Sequence, residues 1–308
     1  MDLTSTHVAC VIVTYNRLGL LKNTVAAVTA QTRKPETIVI VDNCSTDGTR
    51  DWLQHLASGR SDIMPVFLDT NIGGAGGFHH GIKRAYETGA DWIWTMDDDV
   101  FPQDDALEQL LEPAIRIANH DMGRIGFLAS QVNWRDGCRH VMNTPHPSAD
   151  WWYGHPECPG CIRLWNASFV SILISRIAVE RVGYPVKEFF IWFDDVEYTR
   201  RIYGAGLTSY YIESSKVEHV TPANQGVEYK HIVQKDLWKW KYGVRNHVAL
   251  SRAEGGKLRA LATIGNIVRL MWAHDVPLRL QIPLFWAGIN GFFFNYRKCI
   301  TYPVTEIP

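Results

Sequence analysis

The first hundred residues alternate between short apolar runs and segments with helical periodicity. Four runs have the length and continuous apolar character of buried strands: Val8–Thr14, Thr37–Val41, Met64–Leu68 and Asp91–Met96. The segments between them repeat apolar residues at helical spacing, over residues 18–32, 49–59 and 78–88. Such strands, alternating with helices, predict a parallel sheet that helices cover on both faces. The pattern therefore predicts an α/β fold.

The rest of the chain divides into a loop-rich middle part and a helical end. Residues 130–170 are rich in Trp, His, Pro and Gly, a composition typical of loops. A strand-like pattern follows over Ala167–Ile174 and a short helical one over Ile177–Val182. Beyond about Tyr229 the pattern is mostly helical and the composition aromatic and basic. We therefore predict an α/β domain over residues 1–228 and a helical region over residues 229–308.

Three consecutive carboxylates, Asp97, Asp98 and Asp99, follow the fourth apolar run. They would repel one another strongly unless a cation lies among them. Strand alternation predicts that Asp97 and Asp99 point to one side and Asp98 to the other. Mg2+ and Mn2+ prefer such oxygen ligands and often share them with a diphosphate. By itself the triplet also fits an acidic turn that caps a helix starting near Pro102.

Polar residues also follow the first two apolar runs, where a parallel sheet collects its ligands. Thr14, Asn16 and Arg17 follow the first run, and Asp42 ends the second. Asp42 suits either a hydrogen bond to a ribose or base edge or a turn. No GxGxxG motif follows the first run, which argues against NAD.

The segment Asn71–Gly77 contains four glycines in five positions and leads into a helix. Glycines allow backbone N–H groups to approach a ligand closely, with a helix N-terminus behind them. No GK[ST] follows, so the segment is not a Walker motif, and a flexible turn is the alternative.

Two further clusters lie downstream. Asp194 and Asp195 open an amphipathic helix, where they suit either a general base or partners of the helix dipole. His219 suits either a ligand in a cation site built by the aspartates or a structural role.

The composition excludes several classes of function. The 31 basic and 32 acidic residues give a net charge of -1, so no global field favours nucleic acid. The first residues lack the pattern of a signal peptide, and six cysteines are too few for a disulfide scaffold and fit a reducing compartment. Cys158 and Cys161 form a single CxxC, which favours a loop with two thiols over a zinc or redox site.

Taken in order, these motifs resemble those of the family 2 glycosyltransferases, which have the GT-A nucleotide-sugar-binding fold. The resemblance covers roughly residues 8–250. It rests on His219 and on five segments: VIVTYNR, VIVDNCSTDGT, NIGGAGGFHHG, DWIWTMDDDV and FFIWFDDVEYTRR. The glycine segment combined with the aspartate triplet is most similar to bacterial galactofuranosyltransferases. Rhamnosyltransferases share much of the pattern.

The resemblance implies a role for each matching residue on the donor side. The nucleoside would contact Thr14, Asn16, Arg17 and Asp42, and the diphosphate-sugar would contact Asn71 and Gly74. Asp97, Asp99 and His219 would hold Mn2+ or Mg2+, and Asp97 would also contact the donor. Asp98 would face the donor sugar or the fold.

The resemblance also implies the catalytic and acceptor residues. Asp195 would be the base that deprotonates the acceptor hydroxyl in one inverting displacement, with Asp194 beside it as the other candidate carboxylate. Trp165, Trp192 and Arg245 would contact the acceptor, with Arg245 in a Tyr…Arg-Asn element that follows the catalytic domain.

These roles predict a metal-dependent inverting glycosyltransferase that uses UDP-galactofuranose and a glycan or polyprenyl-diphosphate-linked acceptor of the cell surface. A dTDP-rhamnose transferase is the nearest alternative. A nucleotidyltransferase would need a basic, Gly-rich loop after the first strand, which VIVTYNRLGLL lacks. A non-catalytic nucleotide-sugar-binding protein would not need Asp97, Asp99, Asp195 and His219.

The C-terminal stretch Gln281–Phe294 is apolar and aromatic, and basic residues flank it. It is shorter than the roughly 20 residues that span a bilayer. We expect an interfacial helix at the cytoplasmic side of the membrane, with a homo-oligomer contact as the alternative.

Overall fold

A computed structural model describes residues 5–121 and 124–304, and within them the chain forms one ten-stranded sheet flanked by helices. The strands are β1 (Val8–Thr14), β2 (Thr37–Asp42), β3 (Ile63–Phe67), β4 (Trp92–Asp97), β5 (Val100–Pro102), β6 (Ile125–Asn133), β7 (His146–Pro147), β8 (Ile162–Asn166), β9 (Ile172–Ser175) and β10 (Thr208–His219). The helices are α1 (Leu18–Thr29), α2 (Thr49–Gly59), α3 (Gly73–Glu87), α4 (Ala106–His120), α5 (Arg176–Val182), α6 (Asp194–Gly204), α7 (Leu237–Ala273) and α8 (Leu278–Phe293).

The strand order is β3-β2-β1-β4-β9-β6-β10-β8-β7, and β5 pairs with β10. Strands β1 to β4 are parallel, whereas β9 runs antiparallel between β4 and β6. Thr14 lies opposite Asp42, and Val13 lies opposite Asp97. The predicted mostly parallel sheet is therefore confirmed, and its carboxyl edge collects the polar strand ends.

Both faces of β1 are buried, which explains its continuous apolar sequence. Val8, Cys10 and Ile12 belong to the core cluster that includes the buried residues of α1 and α4. The alternate positions, such as Val11, belong to the cluster that includes the buried residues of α3 and α5. Helices therefore cover the sheet on both sides, as the apolar runs predicted.

The glycine segment starts a helix earlier than expected. Helix α3 begins at Gly73, whereas the periodicity predicted a start at Phe78. A Cβ at Gly77 would lie 2.3 Å from Cγ1 of Val13, and one at Gly81 would lie 2.4 Å from Cγ1 of Val11. These two glycines therefore let α3 pack closely against β1, which is a structural use of the segment.

The strand predictions beyond the first hundred residues were incomplete. The strand expected over residues 167–174 begins only at Ile172, as β9, and the residues before it form the turn that follows β8. Strands β5, β6, β7, β8 and β10 were not predicted. The sequence of β10, TSYYIESSKVEH, is two-thirds polar, and its pairing with β6 is irregular between Ile212 and Lys216. Since β10 has neither a continuous apolar run nor regular alternation, its pattern does not indicate a strand.

The predicted helical end is confirmed as a hairpin of α7 and α8. Helix α7 is kinked at Gly255 and Gly256, where the backbone is not helical. Buried residues of both helices form one core cluster, against which Trp192 of the α/β part also packs. No helix in residues 5–121 and 124–304 has the length and hydropathy of a membrane span. The division of the chain at residue 228 stays a prediction, and its outermost residues, 1–4 and 305–308, lie outside the described part.

A candidate active site at the carboxyl edge of the sheet

The aspartate triplet and His219 meet because two strand pairings bring them together. Asp97 ends β4, and the chain then turns through Asp98 and Asp99 into β5. Strand β5 pairs antiparallel with the end of β10, which places His219 opposite Val100. One ligand atom from each of Asp97, Asp99 and His219 lies within 4.8 Å of the others. Asp98 is not a member of this group.

Asp98 points into the fold rather than into this cluster. Its Oδ2 accepts a hydrogen bond of 2.7 Å from the Thr14 hydroxyl, and its Oδ1 lies 3.2 Å from Nη1 of Arg17. The same Nη1 lies 2.7 Å from Oδ2 of Asp99. Thr14 and Arg17 thus bind the acidic turn within the protein. Their contact with a donor stays a prediction.

The triplet is electrostatically strained. Burial, followed by the charge of Asp99, raises the pKa of Asp97 to about 7. Burial also raises the pKa of Asp98 to about 6, although Arg17 opposes the shift. For Asp99 burial acts in the same direction, but His219 and Arg17 outweigh it, and the net pKa shift is downward. Arg17 and His219 therefore offset part of the repulsion among two buried carboxyl groups, Asp98 and Asp99, and the half-buried Asp97.

Asn143 holds His219 in a defined orientation. Nδ1 of His219 lies 2.8 Å from Oδ1 of Asn143. Because an amide oxygen only accepts, Nδ1 carries the proton and Nε2 faces Asp99. The ring of His140 packs on His219 at 4.8 Å, and burial and the charge of His219 lower the pKa of His140 to about 4. Asn143 and His140 lie in the loop-rich segment, and sequence analysis missed both.

The donor set fits a hard divalent cation. Nε2 of His219 lies 3.2 Å from Oδ1 of Asp99, but the contact does not meet hydrogen-bond geometry. This buried oxygen therefore has no hydrogen-bond partner among the described residues. Two carboxylates and one imidazole that a second residue orients are typical of Mn2+ and Mg2+ ligands.

The predicted nucleoside residues tie two loops together at the same edge. Oδ1 of Asn16 accepts a hydrogen bond of 2.7 Å from the backbone N–H of Thr46. Asp42 is fully buried, and its Oδ1 accepts a bond from the N–H of Ser45. Its Oδ2 has no hydrogen-bond partner in the part of the chain described, and Nε of Arg50 lies 3.7 Å away. Asp42 thus forms the turn, and its contact with a nucleoside stays a prediction.

Asn43, rather than Asn71 alone, supports the start of the glycine segment. Its Oδ1 accepts from the N–H of Ile72 at 2.9 Å, and its Nδ2 donates to the carbonyl of Gly73 at 2.9 Å. Asn71 accepts from the N–H of Gly73 at 2.8 Å. Gly73 needs a positive φ of 76° there, while a Cβ at Gly74 would meet no atom within 4 Å. Gly74 therefore borders open space, where its predicted donor contact is sterically allowed.

The segment before the second acidic pair has an unusual backbone. Three aromatic residues, Phe190, Trp192 and Phe193, have φ between 64° and 67°. A positive φ is a sparsely populated conformation for a non-glycine residue and costs roughly 1–3 kcal/mol. Asp194 and Asp195 follow at once and begin α6. Such strain, located next to candidate catalytic groups, indicates that the surrounding contacts hold the segment in place.

Burial perturbs both carboxyl groups of this pair. It raises the pKa of Asp195 to about 6, even though the side chain accepts a hydrogen bond from the N–H of Val196. It raises the pKa of Asp194 well above the ordinary value, and the charges of Asp195 and Asp97 add to the shift. Asp194 is thus within electrostatic range of the triplet.

The three predicted acceptor residues make contacts inside the protein. Arg200 stacks 3.8 Å above the ring of Trp165. Trp192 contacts Trp240 edge-on, at 5.2 Å between centroids. Arg245 lies between the rings of Tyr242 and Phe294, and burial lowers its pKa. These contacts assign packing roles to Trp192 and Arg245, and acceptor binding by all three residues stays a prediction.

A second His/Asp cluster lies at the end of α4. Oδ1 of Asp121 is 2.9 Å from Nδ1 of His120, and Oδ2 is 3.2 Å from Nε2 of His155. Nδ1 of His155 accepts a bond from the N–H of Glu157, so its Nε2 carries the proton and faces Asp121. A hydrogen-bonded triad therefore accounts for this cluster. In the same loop the predicted pair Cys158 and Cys161 forms a turn with two free thiols.

Comparisons with known proteins identify the family of the chain. The model of the family "Glycosyl transferase family 2" matches residues 9–166. Galactofuranosyltransferase GlfT1 of Mycolicibacterium smegmatis is 32% identical over 220 residues, which cover 67% of this chain and 68% of that protein. Galactofuranosyltransferase GlfT1 of Mycobacterium tuberculosis is 31% identical over 215 residues, covering 65% and 66%. The chain thus matches about two thirds of the length of these relatives.

Among solved structures, a crystal structure of GalNAc-T7 with UDP, GalNAc and Mn2+ superposes with a TM-score of 0.61 at 15% identity. The superposition covers 81% of this chain and 48% of that chain. At this identity the likeness concerns the fold alone, and it confirms the predicted GT-A architecture.

Proposed function

Because this chain belongs to glycosyl transferase family 2 and is a glycosyltransferase, we propose that it transfers galactofuranose from UDP-galactofuranose with inversion and metal dependence. The acceptor would be a lipid-linked or cell-surface glycan in polysaccharide or cell-wall synthesis. The observation that carries the proposal is the convergence of Asp97, Asp99 and His219 within 4.8 Å at the carboxyl edge. The names of the mycobacterial relatives support the choice of sugar.

Asp97, Asp99 and His219 are the residues that would hold Mn2+ or Mg2+. When bound, the ion neutralises the charge that develops on the leaving nucleoside diphosphate. Arg17 adds a positive charge beside the same turn, since it pairs with Asp98 and Asp99. The Mn2+ and UDP in the GalNAc-T7 structure support this reading by analogy.

In the proposed reaction, the acceptor hydroxyl attacks the anomeric carbon of the donor sugar. A carboxylate oxygen of Asp195 takes the hydroxyl proton as the new carbon–oxygen bond forms. The bond from the anomeric carbon to the diphosphate oxygen breaks, and its electron pair leaves with the diphosphate. This single displacement inverts the anomeric configuration, and Asp42 and Asn16 would hold the nucleoside meanwhile.

The donor assignment predicts selective use of one nucleotide sugar. We expect slow hydrolysis of UDP-galactofuranose with Mn2+, and faster release of UDP when a polyprenyl-diphosphate-linked glycan is added. UDP-galactopyranose serves as the matched control, because it differs only in ring form. Selective turnover of dTDP-rhamnose would replace the proposed sugar, and turnover of no member of a nucleotide-sugar panel would contradict the proposal.

The proposal includes peripheral binding to the inner face of the cell membrane through α8. Leu280, Leu284 and Ala287 of α8 are buried against α7. The opposite face exposes large apolar side chains: Leu278, Ile282, Phe285, Trp286 and Phe293. A basic residue, Arg279, lies in the first turn of the helix, and two more, Arg297 and Lys298, follow its end. Aromatic and basic side chains together are typical of helices that lie in the membrane interface.

We expect Trp286→Ser to reduce sedimentation of the protein with phosphatidylglycerol vesicles several-fold, because Trp286 is 60% exposed on this face. Trp152→Ser is the matched control, since Trp152 is 61% exposed in the loop-rich segment. Equal sedimentation of both variants and the parent protein would contradict membrane binding. A lower molar mass of the Trp286 variant in light scattering would assign the face to a homo-oligomer instead.

A further inference from the structure

The backbone that carries the acidic pair depends on one buried side chain of the helical region. Nδ2 of Asn246 lies 2.9 Å from the carbonyl oxygen of Phe189, 3.1 Å from that of Ile191 and 2.9 Å from that of Trp192. Asn246 is fully buried in α7. An amide group has only two N–H protons, so at least one of them is shared between two carbonyls.

The carbonyls of Ile191 and Trp192 depend most on Asn246, because the carbonyl of Phe189 also accepts from the N–H of Ile191 at 2.7 Å and from Nη2 of Arg245 at 3.3 Å. Residues 190–193 are neither helix nor strand, and their positive φ values break any regular hydrogen-bond ladder. The carbonyls of Phe190 and Phe193 have other donors, the N–H of Ala75 and the N–H of Glu197. Without Asn246, the carbonyls of Ile191 and Trp192 would lose their side-chain donor in a half-buried segment.

Arg245 orients the amide of Asn246. Its Nε and Nη2 lie 3.0 Å and 2.8 Å from Oδ1 of Asn246. Because guanidinium nitrogens only donate, they identify Oδ1 as the acceptor and leave Nδ2 to face the carbonyls. Nη2 of Arg245 also donates to the carbonyl of Glu188 at 2.6 Å. The two side chains therefore act as one unit on residues 188–192.

Aromatic contacts from α7 hold the same strained residues. Phe190 stacks on Tyr242 at 4.7 Å, and Phe193 stacks on His247 at 5.0 Å. Trp192 packs against Trp240 and closely against Gly243, where a Cβ would lie 2.4 Å from its ring. Helix α7 thus contacts every residue of the segment whose φ is positive.

We infer that Asn246, oriented by Arg245, is a positioning residue for catalysis: it holds residues 189–193 in the strained conformation that places Asp194 and Asp195 at the site. The inference rests on the proposed function, because it takes this pair as the source of the base. Arg245 is then held inside the protein rather than placed against an acceptor phosphate.

We expect Asn246→Ala to lower kcat at least tenfold while the dissociation constant for UDP changes less than twofold. The nucleotide residues lie on the loops after β1 and β2, which Asn246 does not contact among the described residues. Val248→Ala is the matched control, because Val248 is fully buried two residues along the same helix. Equal losses of kcat in both variants would overturn the inference, since α7 would then matter only for stability.

Three further measurements keep the test independent of the fold and of the proposed reaction. Hydrogen exchange over residues 188–200 should be faster in Asn246→Ala than in Val248→Ala, whichever nucleotide sugar is the donor.

If Asn246→Ala does not fold, Asn246→Asp serves as the second variant. It should also lose activity, because aspartate retains an acceptor for Arg245 but lacks the N–H donor to the carbonyls. The double variant Arg245→Lys, Asn246→Ala should lower kcat by less than the product of the two single effects, because the two side chains act as one unit. Unchanged exchange with full activity refutes the inference, whereas an inactive parent protein refutes the proposed function.

Discussion

Asp195→Asn is expected to lower the rate of sugar transfer by roughly 100- to 10,000-fold while donor affinity stays nearly unchanged. Asparagine has the shape of aspartate and can still accept the hydrogen bond from the N–H of Val196. It cannot take a proton from an acceptor hydroxyl. The measurement is kcat with saturating donor, metal and acceptor, together with the dissociation constant for the donor in the same protein.

Asp194→Asn is the matched control for this prediction. It makes the same change one residue earlier, at a carboxyl group that is also buried. If Asp195 is the base, the Asp194 variant loses less activity. Full activity of Asp195→Asn would contradict the assignment, and a larger loss in Asp194→Asn would transfer the role of the base to Asp194.

The pH dependence tests the same base in the parent protein. Burial raises the pKa of Asp195 to about 6, and a base acts only when it is ionised. Activity should therefore be level at neutral pH and fall as the pH drops through about 6. An acidic limb near the ordinary carboxyl pKa of about 4 would mean that another group is the base.

The second large effect concerns the aspartate triplet. Asp97→Asn should abolish stimulation of transfer by Mn2+, because it removes one of the two carboxylates in the proposed ligand set. The same change should raise the melting temperature of the metal-free protein above pH 7, since it removes a carboxyl group whose ionised form is disfavoured by desolvation and by the charge of Asp99. Mn2+ should raise the melting temperature of the parent protein and not that of the variant. Calorimetry with and without EDTA measures both effects.

Asp121→Asn controls for metal binding elsewhere. Asp121 belongs to the second His/Asp cluster, which hydrogen bonds account for, so its replacement should leave the response to Mn2+ unchanged. Transfer that persists in EDTA would contradict the metal dependence. A metal-free Asp97 variant that is less stable than the parent would contradict the account of charge repulsion.

Patterns confined to one segment predicted the elements well. Strand β1 and helix α2 were predicted with the bounds that the structure has, because each has a clear period and polar ends. Helix α3 was predicted to start five residues too late. Glycine lowers helix propensity, and the contacts of Gly77 and Gly81 with β1 lie far away in sequence. Strand β10 was missed because its pairing partners, rather than its own pattern, make it a strand.

The carbonyl and amide partners in the site could not be predicted from sequence spacing. Asn143 lies 76 residues from His219, and Asn246 lies 54–57 residues from the carbonyls that it contacts. Asparagine is common in loops and helices, so its sequence context gives no signal for such contacts. Sequence analysis identified the Tyr…Arg-Asn element that contains Arg245 and predicted that Arg245 contacts the acceptor. The fold instead surrounds Arg245 with backbone carbonyls and aromatic rings.

The sequence by itself determined the order of strands and helices over the first hundred residues, the class of fold and the presence of carboxylates after β4. The elements and the fold class follow from local periodicity, and the three adjacent carboxylates can be read directly from the sequence. Tertiary structure decided which of these groups meet. The pairing of β5 with β10 brings His219 to the aspartates, and α7 holds the backbone before Asp195 in a conformation that no local preference favours. Local patterns specify elements because they depend on near neighbours, whereas a site depends on contacts that only the folded chain makes.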